Sequence, residues 1–130
     1  MPTILLVEDD PLNQTIVKDL FRYDNLPGEL VCVGSAEEAL RILPSLDPLV
    51  VLMDVMLPGI NGIEATKVIK GDPATNRVRV WAITARDARS DIDEALAAGC
   101  DGYFTKPVNP AHLAEQLRVF ASEDVLNVVH

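Results

Sequence analysis

Short apolar runs alternate with segments of helical periodicity along the chain. Four runs have the length of a strand and are rich in Val, Ile and Leu: 4–7, 30–33, 49–53 and 80–83; a shorter run follows at 102–105. Runs with so few polar interruptions are typical of strands that are buried on both faces of a sheet. The alternation predicts an α/β domain in which a parallel sheet carries helices on both faces, connected by right-handed crossovers.

The segments between the runs carry apolar residues at the spacing of a helix. Three stripes stand out: Leu12, Ile16, Leu20 and Phe21; Ile92, Ala95 and Leu96; and Leu113, Leu117 and Phe120.

Capping signals agree with this division of the chain. The pairs Asp10-Pro11 and Asn109-Pro110 each predict an N-cap followed by proline at the first helical position. Ser35, with Glu38 three residues later, predicts a capping box, and Gly99 predicts a C-cap.

Composition narrows the class of protein. The chain has 130 residues, which suits one domain, and its net charge of −9 argues against nucleic-acid binding, because phosphate recognition needs a basic surface. No apolar run approaches the ~20 residues of a membrane helix, and no signal peptide is visible. Cys32 and Cys100 lie far apart, so the sequence predicts neither a zinc site nor a disulfide framework. We expect a soluble, acidic, cytoplasmic domain without a membrane partner.

Polar side chains follow the predicted strands at the carboxyl edge of the sheet. Glu8 and Asp9 follow the first strand, Asp54 the third, Thr84 the fourth and Lys106 the fifth. Ligands of open α/β sheets bind at this edge. If the first and third strands are neighbours, the three carboxylates converge in one crevice.

Three converging carboxylates repel one another unless a cation is present. Mg²⁺ prefers oxygen ligands and is commonly held by one or two carboxylates, water and a phosphate. A carboxylate nucleophile, Mg²⁺, the Lys106 ammonium and the Thr84 hydroxyl together suit phosphoryl transfer onto Asp54.

Four segments carry a family resemblance: LLVEDD at 5–10, LMDVMLPGING at 52–62, AITA at 82–85 and YFTKP at 103–107. In this order and on these strand ends, they make the chain resemble the receiver domain of bacterial two-component response regulators, the CheY-like superfamily, from Thr3 to about Ala121. The resemblance implies a single-domain, flavodoxin-like (βα)₅ fold of three layers, with strand order 2-1-3-4-5.

The resemblance also implies how the site is assembled. Asp54 would accept a phosphoryl group from a phosphohistidine of a sensor kinase or a histidine phosphotransfer protein. Asp9 would bind Mg²⁺ directly and Glu8 through water, while Met56 would contribute its backbone carbonyl.

Four further positions match the part of the family that binds and senses the phosphoryl group. Thr84, Ala85 and Lys106 lie where that group is bound, and Thr84 and Tyr103 match the switch pair. The Lys106–Pro107 peptide bond is expected to be cis.

Two positions tune dephosphorylation in the family, and they correspond here to Met56 and Arg86. Because a Met side chain cannot orient an attacking water, we expect slower autodephosphorylation than in fast chemotaxis-type members.

The organisation implied is a receiver over residues 1–121 and a short tail over 122–130, with no output domain. The chain would be a stand-alone receiver or one excised from a longer protein; the opening EDDPLN and the segment 72–85 are most similar to cell-cycle regulators of the DivK type. Its output would be a conformational change of the fourth helix, fifth strand and fifth helix, presented to a protein partner by a monomer or a phosphorylation-dependent dimer. It would not be a multi-turnover enzyme on a small molecule.

Three other classes compete with this interpretation. A haloacid-dehalogenase-type phosphatase requires a second Asp two residues after the nucleophile, where this chain has Met56. A flavodoxin-like FMN binder requires a Ser/Thr-rich loop after the first strand, which is missing. A phosphorylation-independent pseudo-receiver is the remaining alternative, although such proteins typically lose the acceptor Asp or the Lys, and both are present here.

Overall fold

The computed structural model describes residues 3–24, 26, 28–46, 48–85 and 89–129, with side chains described as far as residue 121. Strands and helices alternate in the order β1 (Thr3–Val7), α1 (Pro11–Tyr23), β2 (Glu29–Val33), α2 (Ala36–Leu46), β3 (Val50–Asp54), α3 (Gly62–Gly71), β4 (Arg79–Thr84), α4 (Arg89–Ala98), β5 (Gly102–Thr105) and α5 (Pro110–Val129). Each predicted strand lies within one residue of the observed strand at both ends.

The five strands form one parallel sheet in the order β2-β1-β3-β4-β5. This is the flavodoxin-like α/β architecture with the predicted strand order, so the predicted fold is confirmed. β1 and β3 are neighbours, as the convergence of the carboxylates requires, and the chain reverses its direction across the sheet between them. The two edge strands are only partly buried, unlike the interior strands, because each has a neighbour on one side only.

The core consists of two apolar layers, one on each face of the sheet. Successive strand residues point to opposite faces; accordingly, Leu5 and Val7 pack against α2, α3 and α4, whereas Ile4 and Leu6 pack against α1 and α5. Central strands buried on both faces hold the carboxyl edge of the sheet rigidly, which fixes the backbone from which the site residues project.

Two residues of the predicted helical stripes are exposed. The Leu12 side chain is 69% exposed and that of Leu96 is 45% exposed. Leu12 lies in the first turn of α1. In α4 the buried side is formed by Ile92, Ala95 and Ala98, which leaves Leu96 at its margin.

The predicted caps are present. Asp10 accepts a hydrogen bond from the Leu12 amide and Asn109 from the His112 amide. The Ser35 hydroxyl accepts one from the Glu38 amide, which is one of the two hydrogen bonds of the predicted capping box. Gly99, at the end of α4, has a φ of +112°, a conformation that favours glycine. These caps begin and end the helices at the expected positions.

Helix α5 continues to Val129, beyond the end near residue 121 that the sequence predicts. No Gly or Pro occurs between Ala111 and Val129, so the sequence contains no signal that stops the helix. Among the helices of the described ranges, none combines the length and the apolar character needed to cross a bilayer.

Candidate functional site

Three acidic residues meet at the carboxyl edge of the two central strands. Asp54 is the last residue of β3, and Glu8 and Asp9 follow directly after β1, its hydrogen-bonded neighbour. One carboxylate oxygen from each of the three lies within 4.8 Å of the others. The structure therefore brings together the cluster that the strand ends predicted.

Asp54 is held through both of its carboxylate oxygens. Its Oδ2 atom lies 2.8 Å from the Lys106 Nζ atom, and its Oδ1 atom accepts a hydrogen bond from the Met56 amide at 2.9 Å. The side chain is buried. A Cβ atom at Gly62 would overlap the Asp54 carbonyl oxygen, so glycine lets α3 begin directly against the end of β3. Asp54 is thus fixed in one orientation.

Glu8 is a buried carboxyl group within this cluster. Its Oε1 atom accepts a hydrogen bond from the Asp10 amide at 3.1 Å, and its Oε2 atom lies 3.7 Å from Lys106 Nζ. Burial raises the pKa of Glu8 from its ordinary 4.5 to about 7; the Asp10 amide opposes this shift, the Asp54 charge adds to it, and Lys106 opposes it. A cation close to these two neighbouring carboxyl groups would stabilise their charged forms in the buried crevice.

Lys106 supplies the one cation that contacts this cluster within the described ranges. Burial disfavours its charge, but the hydrogen bond to Asp54 and the charges of Asp54, Glu8 and Asp9 outweigh burial and raise the pKa of Lys106. The Lys106 amide donates to the Thr84 carbonyl at 2.7 Å, which ties the end of β5 to the end of β4. The Lys106–Pro107 peptide bond is cis.

Thr84 and Ala85 border the cluster at the end of β4. The Thr84 side chain is buried, and its Oγ1 atom has no hydrogen-bond partner within the described part of the chain. A buried hydroxyl without a partner costs about 1–3 kcal/mol, so the hydrogen-bonding capacity of Thr84 Oγ1 is not used by the described residues and does not stabilise the fold. Ala85 is exposed next to it.

The donor set fits a hard divalent cation. All three clustered side chains offer carboxylate oxygens, which Mg²⁺ prefers. Glu8 Oε2 is buried and has no hydrogen-bond partner among the described residues. Its lone pairs can therefore accept a hydrogen bond from a metal-bound water. Asp9 is exposed and gives the crevice a carboxylate that solvent can reach.

Three other predicted residues have different placements. The Met56 side chain is 66% exposed at the rim, while its amide contacts Asp54. Tyr103 is 44% exposed and borders a groove of about 400 Å³ between β5 and α5 instead of entering the crevice. Arg86 lies outside the described residues.

Two polar contacts at the site were not predicted. The Gln14 side-chain amide donates to the Glu8 carbonyl at 2.6 Å, and Glu37 of α2 accepts from the Ile60 amide in the loop after Asp54. Neither residue follows a strand, so reading strand ends could not find them. The sequence indicates Gln14 only by its position: it is a polar residue about one turn into the helix that follows the acidic pair.

The sequence pattern of the response regulator receiver domain family matches residues 4–118. The chain belongs to this family. As a receiver domain, it is a signalling module of two-component systems. The polar-differentiation response regulator DivK of Brucella ovis is 29% identical over 121 residues, which cover 93% of this chain and 97% of that protein.

Solved structures of receivers show the same fold. The magnesium-bound receiver domain of a sensor histidine kinase from Pseudomonas aeruginosa PAO1 is 33% identical, with a TM-score of 0.81 over 92% of this chain and 96% of that one. The receiver domain of Ssk1, solved with the histidine phosphotransfer protein Ypd1 of Saccharomyces cerevisiae, is 29% identical, with a TM-score of 0.77 over 89% of this chain and 86% of that one.

Proposed function

We propose that this receiver accepts a phosphoryl group from a phosphohistidine onto Asp54, with Mg²⁺ as cofactor. One observation carries the proposal: Asp54 is buried at the end of β3, with one oxygen on Lys106 and the other on the Met56 amide. A carboxylate held in this way is a pre-oriented nucleophile that cannot swing out of the crevice. The neighbouring acidic pair and the unpartnered Thr84 hydroxyl supply the remaining groups of a phosphoryl-transfer site.

The proposed transfer is an in-line displacement at phosphorus. An Asp54 oxygen forms the new bond to phosphorus while the bond to the imidazole nitrogen of the donor breaks and the imidazole takes up a proton. Lys106 faces the developing negative charge, and the Thr84 hydroxyl donates to a phosphoryl oxygen once the group is bound. The loop that carries Met56 holds the acceptor in place during the attack.

Mg²⁺, when bound, would neutralise charge between the carboxylates and the phosphoryl oxygens. Asp9 would hold it directly, Glu8 through water, and the Asp54 carboxylate and Met56 carbonyl would complete the protein ligands. The magnesium ion in the active site cleft of the Pseudomonas receiver supports this assignment.

The proposed partner that donates the phosphoryl group is a histidine kinase or a histidine phosphotransfer protein. The complex of the Ssk1 receiver with Ypd1 supports this class of partner. Because Asp54 is buried, the donor must approach over the loop that follows β3, where the Met56 side chain is exposed.

The proposed output is a rearrangement of the face formed by α4, β5 and α5. Thr84 lies at the end of β4 beside the crevice, and Tyr103 lies on the next strand, half exposed, with room in the adjacent groove. If the Thr84 hydroxyl turns toward a bound phosphoryl group, the Tyr103 ring can move inward and change this face. A downstream protein, or a second copy of the receiver, would bind the changed surface.

Transfer from a phosphohistidine donor tests the proposal. A histidine phosphotransfer domain carrying radiolabelled phosphate is mixed with the receiver and Mg²⁺, and label is followed into each protein. We expect label on the wild-type receiver and none on Asp54→Asn. Label that reaches the variant equally would contradict Asp54 as the acceptor.

A further inference from the structure

Gln14 contacts the acidic segment that follows β1 from the first turns of α1. Its Nε2 atom donates to the Glu8 carbonyl at 2.6 Å, and its backbone amide donates to the Asp10 carbonyl at 3.0 Å. The side chain is half-buried between the helix and the segment. One residue therefore bonds to both ends of the segment that contains Asp9.

Two backbone amides of the segment from Glu8 to Asp10 are also hydrogen-bonded. The Glu8 amide donates to the Val33 carbonyl at 3.0 Å, and the Glu8 carboxyl accepts from the Asp10 amide. The Glu8 carbonyl belongs to the peptide group that joins Glu8 to Asp9. Because a peptide group is planar, the direction of this carbonyl sets the direction in which Asp9 leaves the strand.

We propose that Gln14 is a positioning residue for the metal site, acting through the Glu8–Asp9 peptide group. By holding the Glu8 carbonyl, Gln14 keeps Asp9 turned toward Glu8 and Asp54, so that the three carboxylates converge. This inference rests on the proposed function, because it assigns Gln14 to the site that would hold Mg²⁺. Residues that orient metal ligands commonly change metal affinity by about 10- to 100-fold when they are replaced.

Two variants remove the contact in different ways. Gln14→Met keeps the length of the side chain but has no donor, and Gln14→Asn keeps an amide that is too short to reach the Glu8 carbonyl. Thr15→Val is the matched control, because Thr15 is exposed on the same helix and its hydroxyl donates to the Pro11 carbonyl, away from the acidic segment.

Titration calorimetry with MgCl₂ measures the effect in the intact chain. We expect both Gln14 variants to bind Mg²⁺ about tenfold more weakly than the wild type, and Thr15→Val to bind it within twofold. The Mg²⁺ concentration that gives half-maximal phosphorylation by acetyl phosphate should rise by the same factor. The rate at saturating Mg²⁺ should remain close to that of the wild type, because Asp54 and Lys106 are untouched.

Two results would overturn the inference in distinguishable ways. If the wild type binds Mg²⁺ and folded Gln14 variants bind it equally well, Gln14 only packs the segment, and the proposed function stands. If the wild type binds no Mg²⁺, both the inference and the proposed function are wrong. Should Gln14→Met fail to fold, Gln14→Asn carries the test, since it retains a polar amide at the same position.

Discussion

The Lys106 ammonium lies 2.8 Å from Asp54 Oδ2 and 3.7 Å from Glu8 Oε2, so one side chain that follows β5 contacts carboxyl groups at the ends of both β3 and β1. The positive charge of Lys106 balances part of the negative charge that a divalent cation would otherwise balance. The Lys106 ammonium and Mg²⁺ therefore compete for the same carboxylates, and the charge of Lys106 weakens the binding of Mg²⁺.

Replacing Lys106 with Met should tighten Mg²⁺ binding. The substitution removes a positive charge a few ångströms from the carboxylates, and repulsion between that charge and Mg²⁺ is worth about 1–2 kcal/mol even at the dielectric constant of water. We expect about a tenfold lower Kd for Mg²⁺, measured by calorimetry. Lys67→Met, on the exposed side of α3, is the control and should leave the Kd unchanged. Weaker Mg²⁺ binding in Lys106→Met would contradict the arrangement.

The stability of the metal-free protein should fall as the pH rises from about 4.5 to about 7. The pKa of Glu8 is raised by burial from 4.5 to about 7, so in this range the folded state holds a proton that the unfolded state has lost. The loss in the free energy of unfolding is about 3 kcal/mol across the interval. Urea denaturation in EDTA at several pH values measures it.

Glu8→Gln is the control for this pH dependence, because glutamine does not titrate. The variant should lose the part of the slope that Glu8 contributes and should be more stable than the wild type at pH 8. Parallel pH profiles for the two proteins would show that Glu8 does not carry the effect.

Replacing Thr84 with Val should stabilise the unphosphorylated protein. Valine has nearly the shape of threonine but removes a buried hydroxyl whose oxygen has no partner within the described residues, which is worth about 1 kcal/mol. Thr66→Val is the matched control: Thr66 is equally buried, but its hydroxyl donates to the Gly62 carbonyl at 2.8 Å. Urea denaturation should show stabilisation at 84 and destabilisation at 66. Destabilisation at both positions would contradict the conclusion that the Thr84 hydroxyl is buried without a hydrogen-bond partner.

Replacing Met56 with Asn should accelerate loss of the phosphoryl group. The Met56 side chain lies exposed at the rim of the crevice and cannot orient water, whereas an amide can hold the attacking water by a hydrogen bond. We expect about a tenfold or larger increase in the rate of autodephosphorylation, followed by intact mass after removal of the phosphodonor. Val68→Asn, an exposed apolar position on α3, serves as control. An unchanged rate in Met56→Asn would contradict this role.

The strands, and the acidic residues that follow them, could be predicted because the physical signals are local. A run such as Leu49–Met53 requires burial on both faces, and the residue after it therefore reaches the carboxyl edge whatever the rest of the chain does. That β1 lies beside β3 was implied only by the family resemblance; the structure shows this pairing, and the three carboxylates therefore meet. The Lys106 contact follows from the same edge, since parallel strands end together.

Other features, such as side-chain exposure and contacts between elements, depend on how each helix packs against the sheet. Leu12 belongs to an apolar stripe but is exposed, and the periodicity of α1 does not contain that information. The contact of Gln14 with the Glu8 carbonyl depends on the rotation of α1 about its own axis relative to the acidic segment. The unpartnered state of the Thr84 hydroxyl is likewise a property of the packed crevice and not of the residue.

Intact-mass spectrometry of the purified chain after incubation with acetyl phosphate tests the central claim most directly. With Mg²⁺, we expect one added phosphoryl group on the wild type, and none without Mg²⁺ or in Asp54→Asn. No gain of mass in a folded protein that binds Mg²⁺ would contradict the account and favour a pseudo-receiver that signals by binding alone. A gain that persists in Asp54→Asn would contradict Asp54 as the acceptor.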